Sequence, residues 1–477
     1  MAKIQKTSEL AKLSIAALLI GNSIVAAQEV PATEPAPVAE PVVTAPAPTT
    51  VAVVEPAPVA KPVESLSTSV AGTKISLYGR LELNAAYEDG ITKGLWSAWA
   101  TSPQKSVTGT DSGKTVTPQG RTSMSVARTR LGINLEGPSK EDEPSLKGRF
   151  EADFAGASGY SNFNGSSGFR IRQSWGSVTF KDIGLTLLFG QTDDVVTPLD
   201  PPSINPSSLN GVGNIGNRRP QIRATEAIGP VEVAVAVTHD RLRANDNIAP
   251  STPGVQGRVG LKMPASWAGE KANFAVGVGG LYAKDEAAAD DGNDKRKYGP
   301  DFMKKAGSNM FGADLSLPVI DILTLTGEFF MGKNLSRYGD GSLGLNYTSS
   351  SNPHKVQRDG LKSTGWWGAL AAKLPANLSA AAGLGMENLD GDVKLDVNNV
   401  NNKPLDESTI IPEAPKGNMF IFANLAYNFT SAAKVTFEYL NLSTDFADKL
   451  NTTTNTLEKV DSGSLNRFEL NFRYDFK

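Results

Sequence analysis

Arginine is the residue type whose placement in this chain could do chemistry. Arg80, Arg128, Arg130, Arg149, Arg170, Arg172, Arg223 and Arg258 recur through one stretch, several of them two positions apart and interleaved with Glu82, Glu151 and Asp153. A guanidinium stays charged across the physiological pH range and takes carboxylate or phosphate oxygens bidentately, so this set offers recognition and an electric field rather than bond breaking. A second set surrounds a proline-rich run. Asp193, Asp194 and Asp200 stand at its start, Arg218 and Arg219 at its end, and Pro198, Pro201, Pro202 and Pro206 lie between them. Proline fixes φ, so the run is stiff. Covalent catalysis has little to draw on. The chain has no cysteine and two histidines, His239 and His354. His239 and Asp240 are adjacent, so on a strand they point to opposite faces. There is no Gly-x-Ser-x-Gly elbow. No catalytic residue, cofactor or resident metal is expected. The acidic runs Asp285-Glu286, Asp290–Asp294 and Asp340-Gly341 offer carboxylates for weak Ca²⁺ contact, but their spacing matches no EF-type loop and solvated loop charge is the simpler reading.

What must position these side chains is a series of short alternating segments. The last puts Phe468, Leu470, Phe472, Tyr474 and Phe476 on one face of a strand, and Arg467, Glu469, Asn471, Arg473 and Asp475 on the other. The same period marks sixteen segments, at roughly 74–86, 123–135, 146–155, 169–180, 184–191, 219–228, 230–239, 254–263, 271–283, 308–317, 322–332, 363–373, 378–388, 417–428, 433–442 and 465–476. Links after even-numbered segments are short, such as Lys181-Asp-Ile183, Gly229 and Thr430-Ser-Ala432; those after odd ones are mostly long and polar, such as 88–122, 192–218, 284–307, 333–362 and 389–416. A soluble sandwich has no reason to gather its long loops at one end. A membrane barrel does, with short periplasmic turns, long extracellular loops and an even strand number that returns both termini to one side.

The N-terminus agrees with export. Lys3, Lys6 and Lys12 precede the apolar run Leu13–Ile20 and the small-residue site Val25-Ala26-Ala27, which predicts a signal peptide over 1–27. That run is too short to span a bilayer, and no later stretch offers the ~18 apolar residues a spanning helix needs. Lys3, Lys6, Lys12 and Glu9 carry a net +2, so removal takes the formal charge from −3 to −5. Mild acidity argues against a nucleic-acid partner, for which a basic patch is expected. Residues 28–70 form a Pro/Ala-rich segment, expected to be extended and disordered in the periplasm. At ~3.1 Å per residue the 37 residues from 28 to about 64 reach roughly 115 Å, far enough for a tether to peptidoglycan. Residues 71–477 are then the barrel.

With lipid outside, the faces sort by polarity. Ile75, Leu77, Gly79, Leu81 and Leu83 would meet lipid, and Ser76, Tyr78, Arg80, Glu82 and Asn84 the lumen; Leu146, Phe150, Ala152 and Phe154 oppose Lys147, Arg149, Glu151 and Asp153 in the same way. Trp175, Tyr282, Trp366, Trp367, Tyr427, Tyr439 and Tyr474 lie near segment ends and suit interfacial girdles. All eight arginines named first read inward. They either set ionic selectivity, as one-signed rings do in a narrow pore, or pair with inward acids and brace the wall; the two roles are compatible. The stiff 192–219 run, folded inward, would set its aspartates opposite the arginines and narrow the lumen.

Three stretches carry a family resemblance: Phe169–Phe180 (FRIRQSWGSVTF), Leu187–Thr192 (LLFGQT) and Arg219–Arg223 (RPQIR). They resemble the DcaP-like trimeric outer-membrane porins, and Leu77-Tyr-Gly-Arg80 is similar to the opening strand of that family. The likeness is specific over about residues 169–240. It implies a sixteen-stranded homotrimer with an inward third loop and a preference for anionic solutes such as dicarboxylates. Two features depart from the family pattern. Its extension before the barrel is typically a coiled coil, whereas here it is Pro-rich, and this chain ends Tyr474-Asp-Phe-Lys477 rather than on the aromatic, so Phe476 reads as the assembly anchor.

The expectation is an all-β transmembrane antiparallel barrel in outer-membrane lipid, passing small hydrophilic, anionic solutes passively through a watery lumen. The rivals are an outer-membrane enzyme, an adhesive or peptidoglycan-tethered barrel without specific transport, and a soluble exported β-protein.

Overall fold

In the computed structural model, the residues described are 67–90, 92–93, 100–101, 120–138, 140, 143–156, 168–239, 248–250, 253–287, 307–333, 335, 362–390, 415–446, 449–451 and 456–477. The unit spanning Glu64–Lys477 contains them all. His354, the expected signal peptide and the Pro-rich run up to residue 66, most of the long loops and most of the acidic loop runs lie outside the described residues.

Sixteen strands close on themselves. They are β1 Thr73–Glu88, β2 in two pieces (Arg121–Ser125 and Arg130–Glu136), β3 Ser145–Gly156, β4 Gly168–Phe180, β5 Leu185–Asp193, β6 Arg218–Ile228, β7 Val231–Thr238 and β8 Gly254–Pro264, then β9 Asn273–Ala287, β10 Gly307–Ile320, β11 Leu323–Lys333, β12 Lys362–Lys373, β13 Leu378–Asp390, β14 Pro415–Asn428, β15 Ala433–Phe446 and β16 Gly463–Phe476. Each pairs antiparallel with its sequence neighbours, and β16 returns to β1 from Gly79 opposite Phe476 to Glu88 opposite Arg467. Closure leaves no free edge along these strands, which is what a sheet needs where no water can satisfy its backbone. Turns at one end are tight: Gly229 (φ 59°) and Pro230 alone join β6 to β7, a positive φ that favours glycine.

Burial is inverted relative to a water-soluble sheet. On β16, Phe468 is 41 % exposed while Arg467 is 1 % exposed, and Leu470, Phe472 and Tyr474 alternate with buried Glu469 and Asn471 in the same sense. The rows Leu77–Leu81–Leu83, Val235–Val237 and Phe437–Tyr439 are likewise exposed. An exterior with apolar rows of this kind suits acyl chains as solvent. Trp366, Tyr282, Tyr427, Tyr439 and Tyr474 belong to it. Two expected girdle residues do not. Trp367 is 2 % exposed and donates its indole N–H to Glu328 Oε2 at 3.1 Å. Trp175 lies opposite Arg149, on the inward face of β4. Parity sets Trp367 on the face opposite Trp366, and a β-bulge at Arg172 shifts the parity of β4 so that Trp175 turns inward with Gln173 and Ser177.

The inward face is also less uniformly polar than alternation suggests. Phe420, Phe422, Leu440, Leu442 and Leu465 are buried together with Leu209 and Val212 of the segment between β5 and β6, and Val196 and Ile215 of that segment pack with Leu281, Met310 and Phe330. The second expected segment, 123–135, proves to be broken: residues 126–129 leave the ladder, with the Thr129 N–H bonded to Val126 O at 2.9 Å. Ser67–Val70, within the stretch expected to be extended, pairs antiparallel with Thr73–Ser76 through a turn in which Ala71 (φ 50°) and Gly72 (φ 79°) both take positive φ. These four residues contain no proline, so they can donate to a ladder where the preceding run cannot.

Candidate functional site

Register, rather than sequence proximity, assembles the arginines. Arg80 stands opposite Arg130, Arg130 opposite Asp153, and Asp153 opposite Arg170, so one row of charge crosses β1 to β4. Adjacent strands are about 4.8 Å apart, which places these side chains in reach of one another. On the other side of β1, Arg80 faces Asp475 and Glu82 faces Arg473. A bulge adds to the row: Glu151 pairs with Gln173 and Ala152 with Ile171, leaving Arg172 as the extra residue. Two residues against one re-aim a side chain, and Arg170, Arg172 and Gln173 all line the same cavity.

The ion pairs are shared rather than one-to-one. Arg80 Nε lies 2.9 Å from Glu82 Oε2, and Arg128 Nε 3.4 Å from Glu82 Oε1. Glu151 holds Arg172 at 2.8 Å, Arg149 at 3.2 Å and Arg130 at 3.5 Å. Asp153 takes Arg170 through two parallel bonds of 2.9 and 2.7 Å and Arg172 at 3.0 Å. Six guanidinium groups thus surround three carboxylates. Tyr78 braces one of them: its O–H donates to Glu151 Oε2 at 3.1 Å, it accepts from Arg149 Nε, and the Arg149 guanidinium sits 4.7 Å from its ring centroid. Gly132 makes room for that ring, since a Cβ there would fall 2.2 Å from Tyr78.

Segment 194–217 runs along the opposing wall and is bonded to it by side chains of five strands. From β8, Gln256 donates to Asp194 Oδ1 at 2.7 Å and accepts from the Val195 N–H at 2.9 Å. Glu328 of β11 accepts the Leu199 N–H at 2.8 Å. Glu438 of β15 accepts from Ser203 Oγ at 2.6 Å and the Ile204 N–H at 2.9 Å, while Asn205 donates to Glu469 of β16 at 2.7 Å. On β14, Asn418 donates to Gly211 O and Asn424 to Pro202 O, each at 2.8 Å. Arg128, in the break of β2, donates to Ile204 O at 2.8 Å. Glycines permit the close approach: a Cβ at Gly385 would lie 2.1 Å from Val212 O, and one at Gly213 (φ 105°) 2.0 Å from Trp366 O.

Between the arginine wall and this segment lies a cavity of about 830 Å³. Arg80, Arg128, Arg130, Arg149, Arg170, Arg172, Arg218, Asp193, Asp194 and Asp200 all line it. Three residues singled out from sequence lie elsewhere. Arg219 makes a buried bidentate pair with Asp194 at 2.7 and 3.0 Å. Arg258 does the same with Asp314 at 2.8 and 2.7 Å, and Arg223 is held by Gln221 Oε1 and Asp193 O. Lys373, Lys434 and Arg473 join the lining unforeseen, although Arg473 already stood on the polar face of the last segment. Among the described residues, the lining carries ten cationic side chains against six carboxylates. Arg80 Nη2 and Arg130 Nε are buried without an acceptor among the described residues.

Comparison with known proteins bears on the fold. No family model and no curated protein matches the sequence. Among solved structures, the outer-membrane channel DcaP of Acinetobacter baumannii superposes with a TM-score of 0.59 at 18 % identity, covering 86 % of this chain and 99 % of that one. An anion-selective porin from Comamonas acidovorans gives a TM-score of 0.50 at 12 % identity over 85 % of this chain and 100 % of the other. OmpF of Salmonella typhi, in complex with daunomycin, gives 0.50 at 12 % identity over 86 % and 100 %. The chain has the porin fold of outer-membrane channels, in line with the family resemblance read from residues 169–240.

Proposed function

We propose that the protein is a passive diffusion channel of a Gram-negative outer membrane. It admits small hydrophilic solutes, prefers anions, and uses segment 194–217 as the constriction of its lumen. The observation that carries this reading is the cavity itself: a cation-rich, polar space enclosed by a barrel whose exterior is apolar. In a low-dielectric surround, a net positive lining raises the local concentration of anions and repels cations. Dicarboxylates fit, because the guanidinium groups stand in rows rather than singly. The anion selectivity of the Comamonas porin points the same way. The hydrogen bonds that Glu328, Glu438 and Glu469 accept and that Asn418 and Asn424 donate support the constriction. Nothing in this chemistry calls for catalysis.

The rest of the biological reading follows from export. Residues 1–27 are the signal peptide, the N-terminal segment is periplasmic, and the working unit is a homotrimer. The Pro-rich segment reaches toward peptidoglycan. The deciding experiment is the reversal potential of detergent-purified protein in planar bilayers under a KCl gradient. An anion-side potential supports the reading, a cation-side potential removes the selectivity, and absence of conductance leaves the tethered or adhesive barrel. Pull-down with purified peptidoglycan, comparing the full chain with one lacking residues 28–66, tests the tether; equal binding refutes it.

A further inference from the structure

We propose that the facing guanidinium groups of Arg80 and Arg130 form a discrete binding subsite for a doubly charged oxyanion, of which inorganic phosphate and sulfate are the smallest members. The subsite rests on the channel reading above and adds a saturable station to it. Its first support is register: Arg80 and Arg130 are direct partners on adjacent strands, an arrangement of like charges that sheets disfavour. Its second is unspent donor capacity. Arg80 is 7 % exposed; its Nε donates to Arg128 O at 3.3 Å and lies 2.9 Å from Glu82 Oε2, an oxygen that itself accepts no hydrogen bond, and its Nη2 meets no protein acceptor among the described residues. Arg130 Nε is equally unmatched, and the nearest carboxylate oxygen to its guanidinium, on Glu151, is 3.5 Å away and already taken by Arg172 at 2.8 Å.

Arg219 and Arg258, by contrast, each close on a carboxylate of their own through two bonds, so the chain can satisfy an inward arginine where nothing else is to be bound. Charge sets the ligand class. The six guanidinium groups around Glu82, Glu151 and Asp153 leave three positive charges over. Two negative charges on one ligand offset most of that surplus. Several oxygens on one centre can accept from both strands at once, which chloride cannot do and a monocarboxylate does less well. Arg130 remains 22 % exposed on its side chain and lines the cavity, so the ligand exchanges with the lumen, while the buried Arg80 forms the floor.

The test is chloride current through single channels, with potassium phosphate, potassium sulfate or potassium acetate added at constant chloride and ionic strength. Phosphate and sulfate are expected to reduce the current saturably, acetate only at about tenfold higher concentration, and Arg130→Gln to raise the half-blocking phosphate concentration about tenfold, the worth of one charge-assisted hydrogen bond. Lys140→Gln, on an exposed turn with its side chain 80 % exposed, is expected to block like the parent. If Arg130→Gln does not insert, Arg130→Lys keeps the charge and loses the fork, and an intermediate shift is expected. Anion-selective channels that phosphate and sulfate do not block, or a block that neither variant weakens, overturn the subsite while leaving the channel standing. If the barrel proves non-conducting, the channel reading falls by itself. Calorimetric titration of sulfate into detergent-solubilised parent and Arg130→Gln protein then decides the subsite, and equal heats from the two refute it.

Discussion

Replacing Glu438 with alanine should release the proline-rich segment from the barrel wall and widen the pore. Three donors of that segment end on this carboxylate: Ser203 Oγ at 2.6 Å, the Ile204 N–H at 2.9 Å and the Asn205 N–H at 3.3 Å. Hydrogen bonds to a charged group are worth about 1.5–3 kcal/mol each, a gross sum of roughly 5–9 kcal/mol. Truncation also relieves the cost of burying the carboxylate, several kcal/mol. The net is roughly 3 kcal/mol, or about 150-fold in the ratio of docked to released segment at 1.4 kcal/mol per tenfold. Release should be local. Leu209 and Val212 stay packed against Phe420 and Leu440, and Leu199 stays on Glu328, so only residues 200–206 loosen, against the remaining bonds from Asn424 to Pro202 O, Arg128 to Ile204 O and Asn205 to Glu469. The assay is single-channel conductance and open-state noise, paired with proteinase K digestion. Conductance and noise should both rise, and a new cut should appear between residues 198 and 207. Parental conductance with no new cut would refute the idea that this carboxylate holds the constriction.

Other perturbations test other links. Gly385→Val puts a Cβ where Val212 O already lies within 2.1 Å, and a backbone oxygen cannot swing aside; overpacking of about 1–3 kcal/mol should push residues 209–213 off the wall and raise conductance while the barrel still folds. Leu470→Arg on the exterior row between Ala85 and Phe437 should cost about 2–4 kcal/mol if it sits near the bilayer midplane, read as a lower urea midpoint in detergent or lipid; an unchanged midpoint would contradict a lipid-facing exterior. Raising KCl from about 0.1 to 1 M shortens the Debye length from roughly 10 to 3 Å. The anion-to-cation permeability ratio from reversal potentials should therefore fall toward one, and a ratio indifferent to salt would mean that selectivity does not come from the arginine-rich lining.

Much of the architecture is legible in the residues because it is local. Period-2 alternation in Arg467–Phe476 depends only on consecutive Cβ atoms pointing to opposite faces. It assigns Phe468 and Arg467 to their sides before any partner strand is known, and the alternation of tight and long links supplies the rest of a barrel. Alternation gives the face a residue takes, not what it meets there. Trp367 falls inward by parity, but its bond to Glu328 cannot be read from the strand alone, and Leu440 and Leu442 share the inward face because a segment more than 200 residues earlier covers them.

The amino-acid sequence alone determined the strands, the inverted polarity and the supply of inward arginines, since these follow from side-chain type and the geometry of one extended chain. Tertiary structure decided which arginines meet. Register set Arg80 against Arg130, the bulge at Arg172 brought Gln173 to the same face as the arginines, and Arg258 and Arg219 were neutralised by Asp314 and Asp194. No local pattern encodes those pairings, because each depends on how far one strand slides along the next, and a slip of a single residue reverses every face.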